Sequence, residues 1–324
     1  MKRTRLLLLA VLLLLTLLQT SCIDYGTDPP YQNTAFFLMD TNGKNRQFLF
    51  DRWGHERVRV TADGQFVLYE DRDGNFTRYT VETGEIFIYD LPFDSFICND
   101  VSFDTMYIQA ETDGIFDVYA VDVETGAIEN LTQLQSEVAF PYSMTQERDR
   151  LYYSGREDTL YILCRMDMTT HTVEQLASNS LTDYTNIALS RDCNALYYFY
   201  HPDPEGLYRL YRMDLSTQEA AYVMSSSLSR RIQVGLNEEF FLYGSSIVTF
   251  DENNEIQFHP FYSYDLHLMN NGVDIIVDNG TSIKKVNALT YASTLLSGGC
   301  NSWLSKEGNL IVFLSSYVKN GRNP

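Results

Sequence analysis

"TADGQFVLYEDRDGNFTRYTVETGEIFIYDL", residues 61–91, holds three strands and the turns that separate them. Thr61 and Asp63 open it. "QFVLYE" (65–70) is apolar nearly throughout, as a strand buried on both faces is. The polar "DRDG" separates it from "FTRYTVE" (76–82). "VETGE" then supplies Gly84 for the positive φ of a tight hairpin, and "IFIYDL" (86–91) follows.

The unit recurs. Ser/Thr-x-Asp/Glu stands at Thr61/Asp63, Ser102/Asp104, Thr145/Glu147, Ser190/Asp192 and Ser305/Glu307, with a weaker copy at Asn237/Glu239. The first four are spaced 41, 43 and 45 residues apart, a period of solenoids, propellers or arrays. The strand after the turn reads seven times: "QFVLYE", "MYIQAE", "RLYYSG", "ALYYFY", "EFFLYG", "VDIIVD" and "NLIVFL". No long helical period follows residue 22, so helix-containing repeats are poor competitors. Four short antiparallel strands per repeat make a propeller blade.

The chain ends "SKEGNLIVFLSSYVKNGRNP", residues 305–324, with only two strands of a seventh unit. Two strands alone do not stay folded in water. The missing pair is "NTAFFLMDTNGKNRQFLF", residues 33–50. The expected fold is therefore all-β, a seven-bladed β-propeller whose last blade joins N- and C-terminal strands; six or eight blades are the alternatives. Closing the ring this way removes exposed edges.

"TADGQFVLYEDRDGNFTRYTVETGE", "SRDCNALYYFY" and "SKEGNLIVFL" resemble the TolB-like family of β-propeller repeats, over roughly residues 34–316. The resemblance implies the fold. It implies little about function, because propellers host binding, scaffolding and several chemistries.

The chain has 324 residues, 44% of them hydrophobic, with 23 Tyr and 19 Phe, and a net charge of −19. Residues 1–21 contain Lys2, Arg3 and Arg5 and no acid. Without them 21 Lys+Arg face 43 Asp+Glu, a net charge of −22. That balance repels nucleic acid and anionic lipid heads, which need clustered Lys and Arg. Residues 6–18 are apolar, short of the roughly 20 that a membrane span needs, and lead to Ser21 and Cys22. This start resembles a bacterial lipoprotein signal. The resemblance implies that residues 1–21 are removed and that Cys22 carries the lipid. Gln19 departs from the pattern, since an aliphatic residue is usual there. An ordinary signal peptide with an incidental cysteine is the alternative. Residues 22–33 read as a tether and 34–324 as one propeller domain, held at the bacterial envelope, periplasmic or on the outer surface.

Cys98, Cys164, Cys193 and Cys300 allow three complete disulfide pairings or buried free thiols. The five histidines form no H-x-H or H-x-x-x-H pair, so no metal or other cofactor is expected. His171 takes the place of the turn glycine of "VETGE". "EDRDG" (70–74) has calcium-like acid spacing but reads first as a solvated turn. No G-x-S-x-G elbow occurs, and no catalytic residue is assigned.

Acids recur in the loop after the second strand: Asp71 and Asp73, Glu111 and Asp113, Glu157 and Asp158, Asp203 and Glu205. Blade geometry puts these loops on one face. Arg156 and His201 interrupt them. The binding-face candidates are Asp71, Asp73, Glu111, Asp113, Arg156, Asp158, His201 and Asp203. They suit a cationic envelope protein or small ligand; solubility is the plainer reason for the charge. Tyr152, Tyr153, Tyr197, Tyr198, Phe199, Tyr208 and Tyr211 fit packing between blades better than a ligand site. The expected function is a non-catalytic binding scaffold that meets the membrane only through its N-terminal lipid. The alternative is a propeller enzyme, a lyase or glycan hydrolase, working from the central pocket.

Overall fold

The computed structural model describes residues 34–51, 58–71, 73–93, 95–132, 143–145, 147–157, 159–182, 184–202, 206–251, 255–261, 263, 265–298, 300–305 and 308–316. Residues 1–33, which hold the expected signal, Cys22 and the expected tether, lie outside them.

Among the described residues, twenty-eight strands form seven four-stranded antiparallel sheets. The described residues begin with β1 (Thr34–Asp40) and β2 (Gln47–Asp51). Blade 1 is β3 (Arg59–Val60), β4 (Phe66–Glu70), β5 (Phe76–Thr80) and β6 (Ile86–Ile88). Blade 2 is β7 (Ser95–Val101), β8 (Thr105–Thr112), β9 (Ile115–Asp122) and β10 (Ile128–Asn130). Blade 3 is β11 (Ser143–Met144), β12 (Arg150–Glu157), β13 (Leu160–Asp167) and β14 (Val173–Asn179). Blade 4 is β15 (Thr185–Leu189), β16 (Ala195–Tyr200), β17 (Tyr208–Asp214) and β18 (Ala220–Ser226). Blade 5 is β19 (Ile232–Val234), β20 (Phe240–Tyr243), β21 (Ser246–Phe250) and β22 (Ile256–Pro260). Blade 6 is β23 (Asp265–Leu268), β24 (Asp274–Asp278), β25 (Ser282–Asn287) and β26 (Ser293–Gly298). Blade 7 is β27 (Cys300–Leu304) and β28 (Leu310–Ser316), completed by β1 and β2.

The ring closes as the two half-repeats require. β1 pairs antiparallel with β28, Ala35 opposite Ser315 and Met39 opposite Ile311. The first strands of successive blades touch, β11 with β15, β15 with β19, β23 with β27 and β27 with β3. They therefore lie at the axis, and the fourth strands lie at the rim.

Alternation along the second strand feeds two seams at once. In blade 4, Leu196 and Tyr198 pack towards blade 3, while Tyr197 and Phe199 pack towards blade 5. That is why these strands read as continuous apolar runs. Seven apolar clusters, one per seam, replace a single core.

The Ser/Thr slot is a buried device. Thr61 donates to Asp63 Oδ1 at 2.7 Å, and its own Oγ1 accepts the N–H of Phe66 at 3.0 Å. Ser190 repeats this with Asp192 and Ala195. Two expected details change. Thr145 bonds Asp149, four residues on, at 2.6 Å, in a turn of the same length as those of Thr61 and Ser190. The slot of blade 5 is Gly235, whose N–H bonds the carbonyl of Phe240. Asn237 and Glu239 lie two residues too far along. A side chain at Gly235 would meet the Phe240 ring, since a Cβ there falls 2.4 Å from a ring carbon.

The turn after the third strand is capped by its first residue. Asp122, Asp167 and Asp214 each accept backbone N–H groups two and three residues on. These bonds hold all three carboxyls below the ordinary value of 3.8; the Thr125 hydroxyl leads for Asp122, the Thr170 N–H for Asp167 and the Ser216 hydroxyl for Asp214. His171 fills the glycine position of this turn at φ 55°, as Gln218 and Tyr291 do at 59° and 58°.

Candidate functional site

Loops between second and third strands share one face of the ring with the blade-to-blade connections. Both follow from four antiparallel strands per blade. Asp71 is half-buried, and its Oδ1 accepts the N–H groups of Asp73 and Asn75 at 2.9 and 3.0 Å. With Gly74 at φ 82°, it builds its own turn. Asp73 is exposed. Asp113 and Gly114 take φ 53° and 79°, the two-residue turn that a right-twisted hairpin prefers. That turn presents Asp113 to solvent beside half-buried Glu111.

Arg156 is exposed, its guanidinium 5.5 Å from the centre of the Tyr161 ring, which is its cross-strand partner. Glu157 follows it into solvent. His201 rests on Tyr208, centroids 4.6 Å apart, with Nε2 3.1 Å from the Gly206 carbonyl. The topology thus brings Asp73, Glu111, Asp113, Arg156, Glu157 and His201, from four successive blades, to one face. Asp158, Asp203 and Glu205 lie outside the described residues.

The tyrosines of blade 4 are seam residues. Tyr198 stacks on Tyr211 at 5.9 Å and Tyr184 meets Tyr198 edge-on at 5.3 Å; Tyr184 and Tyr198 are buried. Burial raises their phenol pKa values. Cys98, Cys164 and Cys193 form no disulfide among the described residues, and burial pushes Cys164 up to about 12. Cys98 and Cys164 are buried, so packing accounts for both.

Three polar groupings carry no motif in the sequence. Gln233, on the first strand of blade 5, bonds both the carbonyl of Leu266 and the N–H of Leu268 in blade 6. His267 is buried with Nε2 3.0 Å from the carbonyl of Ser302 in blade 7. Both sit two residues before the slot of their turn, a position that faces the next blade. The buried Asp278 carboxylate accepts the N–H groups of Ser302 and Gly280 at 2.7 and 2.8 Å.

The third grouping sits on the turn side of the ring. The Arg212 guanidinium grips Glu238 with Nε–Oε2 at 2.6 Å and Nη2–Oε1 at 2.9 Å, and the Tyr197 hydroxyl also donates to this carboxylate. Arg212 holds Glu238 below its ordinary 4.5. Glu238 belongs to blade 5, while Arg212 and Tyr197 belong to blade 4. The same strand position in blade 1 is Arg78, which donates to the carbonyls of Val123 and Glu124 in blade 2. In blade 6 it is Lys285, which reaches Asn42 in blade 7. These are interblade clamps. Among the described residues no three His, Cys, Asp or Glu side chains converge to hold a metal ion.

No protein-family model and no curated protein sequence matches the chain. Solved structures do match. The tricorn protease aligns with a TM-score of 0.58 at 12% identity, over 90% of this chain and 36% of that one. This chain thus spans about a third of that protein's length. Oligogalacturonate lyase in complex with manganese gives 0.50 at 14% identity, over 80% and 78% of the two chains. The putative TolB of Agrobacterium tumefaciens gives 0.47 at 13% identity, over 88% and 99%. At these identities the likeness is one of fold: a seven-bladed propeller, with TolB-type propellers among its structural neighbours.

Proposed function

We propose that the chain is a lipid-anchored, non-catalytic scaffold of a bacterial envelope. Its loop face takes a cationic segment of a partner protein. One observation carries the reading. Asp73, Asp113 and Glu157 stand exposed on the same face of three successive blades, whereas Asp71 and the acids of the opposite face cap their own turns. Acids that close turns have a structural reason to recur. Asp73 and Glu157, each one blade from Asp113, have no such task, and a repeated carboxylate field attracts cations.

The test neutralises the face and spares the turn. Asp73→Asn, Glu111→Gln, Asp113→Asn and Glu157→Gln are combined, with Asp71 kept. We expect an unchanged circular dichroism spectrum and an association rate for the captured envelope partner lower by about tenfold at low salt. The difference closes as salt rises, because exposed charges are screened over about 10 Å at 0.1 M. Equal capture by the folded variant at all salt concentrations contradicts the assignment of this face.

A further inference from the structure

Leucine recurs at two places on the loop face where packing gives it no task. Leu160 and Leu207 stand seven residues before the turn-capping Asp167 and Asp214, and Leu181 and Leu228 stand fourteen residues after them. The first pair lies at or just before the start of the third strand in blades 3 and 4. The second pair lies in the connections to the next blade. The topology puts all four on the loop face. They are between 42% and 51% exposed, and none belongs to an interblade cluster. The other described loops and connections of this face hold no exposed large apolar side chain. Exposed leucines scattered singly are ordinary, but four at matched positions of neighbouring blades are not scattered.

The backbone beneath them is held. Asn179 Oδ1 accepts the N–H groups of Leu181 and Thr182 at 2.8 and 3.0 Å. The Leu228 N–H donates to Ser226 Oγ at 3.2 Å, and its carbonyl accepts the Tyr243 hydroxyl. Side chains presented on ordered backbone bind at a lower entropic cost.

Blade 1 differs at the same two places. Thr80 stands for the capping aspartate there, since the Gly84 N–H bonds its carbonyl as the His171 N–H bonds that of Asp167. Counted from Thr80, the places hold Asp73 and Asp94, of which Asp94 lies outside the described residues. In blade 2 the first place is Ile115, two residues after Asp113, so the change from acid to apolar falls at this blade. Charge follows the same division. The loops and connections of blades 1 and 2, residues 71–75, 89–94, 113–114 and 131–142, hold six acids and one arginine. Those of blades 3 and 4, residues 158–159, 180–184, 201–207 and 227–231, hold four acids and two arginines, with Arg156, Glu157 and Arg209 exposed at the strand ends beside them.

We propose that the loop face takes a two-part segment of a partner protein, with apolar side chains over Leu160, Leu181, Leu207 and Leu228 and lysines or arginines over the acids of blades 1 and 2. The proposal rests on the cationic-partner reading for its second part. The leucines bury apolar area, an attraction that salt does not screen. The acids speed and orient the approach. Together they fix which way the segment runs across the face.

The full chain, reconstituted into phosphatidylcholine nanodiscs, is titrated with three fluorescent synthetic peptides of equal length. The first carries leucines in one half and lysines in the other. The second has serine for leucine, and the third has serine for lysine. Empty discs give the background. We expect the first peptide to bind about tenfold more tightly than either control, and part of that binding to persist at salt concentrations that release the second. Leu160→Ser, Leu181→Ser, Leu207→Ser and Leu228→Ser combined should abolish the advantage of the first peptide. The same variant should bind the second peptide as the parent does, which also shows its fold intact.

Equal binding of the first and second peptides by the parent, as lipid or a second copy on the leucines would give, overturns the proposal and leaves the acidic face standing. If the chain neutralised at Asp73, Glu111, Asp113 and Glu157 binds all three peptides as the parent does at low salt, the cationic reading fails, and the lysine half of this proposal fails with it. Binding of none of the three overturns both.

Discussion

Removing residues 310–324 abolishes the folded ring. β28 lies between β1 and β27, so its loss leaves blade 7 as two separate pieces. Ile311 and Phe313 are wholly buried in the seam to blade 6, and Val312 in the seam to blade 1. Truncating side chains of this kind costs about 2–5 kcal/mol each, and three together approach the roughly 5–15 kcal/mol by which domains are stable. Circular dichroism and urea titration should show no cooperative transition for the truncated chain. A milder probe is Phe313→Ala, which stacks on Phe37 at 5.7 Å. It should lower stability by about 3–5 kcal/mol. A change under about 1 kcal/mol would mean that this strand is not part of the core.

Glu238→Ala should have the next largest effect, about 2 kcal/mol, because bonds to a charged acceptor are worth about 1.5–3 kcal/mol and this one is partly reached by water. It strips the Arg212 guanidinium of both bonds and leaves the buried Tyr197 hydroxyl without its acceptor. Alanine keeps the left-handed conformation at φ 60°, so the backbone strain remains.

The pH dependence has a fixed sign. Glu238, Asp122, Asp167, Asp192 and Asp214 all have folded pKa values below their ordinary 4.5 and 3.8. Their contribution is present above those values and is lost as pH falls through the folded ones. Urea midpoints should be flat from pH 7 to 5 as far as these groups are concerned and should fall below about pH 4. Glu238→Ala should flatten that acid limb.

Much of this fold is legible in the sequence. Second strands buried on both faces must be apolar throughout, so "ALYYFY" and "NLIVFL" announce themselves. The half-repeats at the two ends fit only each other, which placed the closure. Blade 5 hides its slot because Gly235 keeps only the backbone bond that Thr61 also makes, N–H to the carbonyl five residues on, and has no hydroxyl for a motif to record. Thr145 bonds Asp149 and not the Glu147 of the Ser/Thr-x-Asp/Glu spacing, although its turn is as long as that of Thr61, so the spacing alone does not tell which carboxylate the hydroxyl meets. The site was less legible. An acid that caps a turn and one that faces a partner look alike in sequence, as Asp71 and Asp73 do. Gln233 and His267 bond backbone across a seam, and no motif records that.

The closure is tested most directly by a cross-link. Ala35 and Ser315 are directly opposed across β1 and β28. Opposed antiparallel residues have Cα atoms about 4.5–5.5 Å apart, within disulfide range. The double variant Ala35→Cys, Ser315→Cys is oxidised in the folded state and digested without reduction. The account predicts one peptide joined through residues 35 and 315, and none for Ala35→Cys paired with Ala195→Cys in blade 4. A folded protein in which residues 35 and 315 stay unlinked under the same oxidation would contradict it.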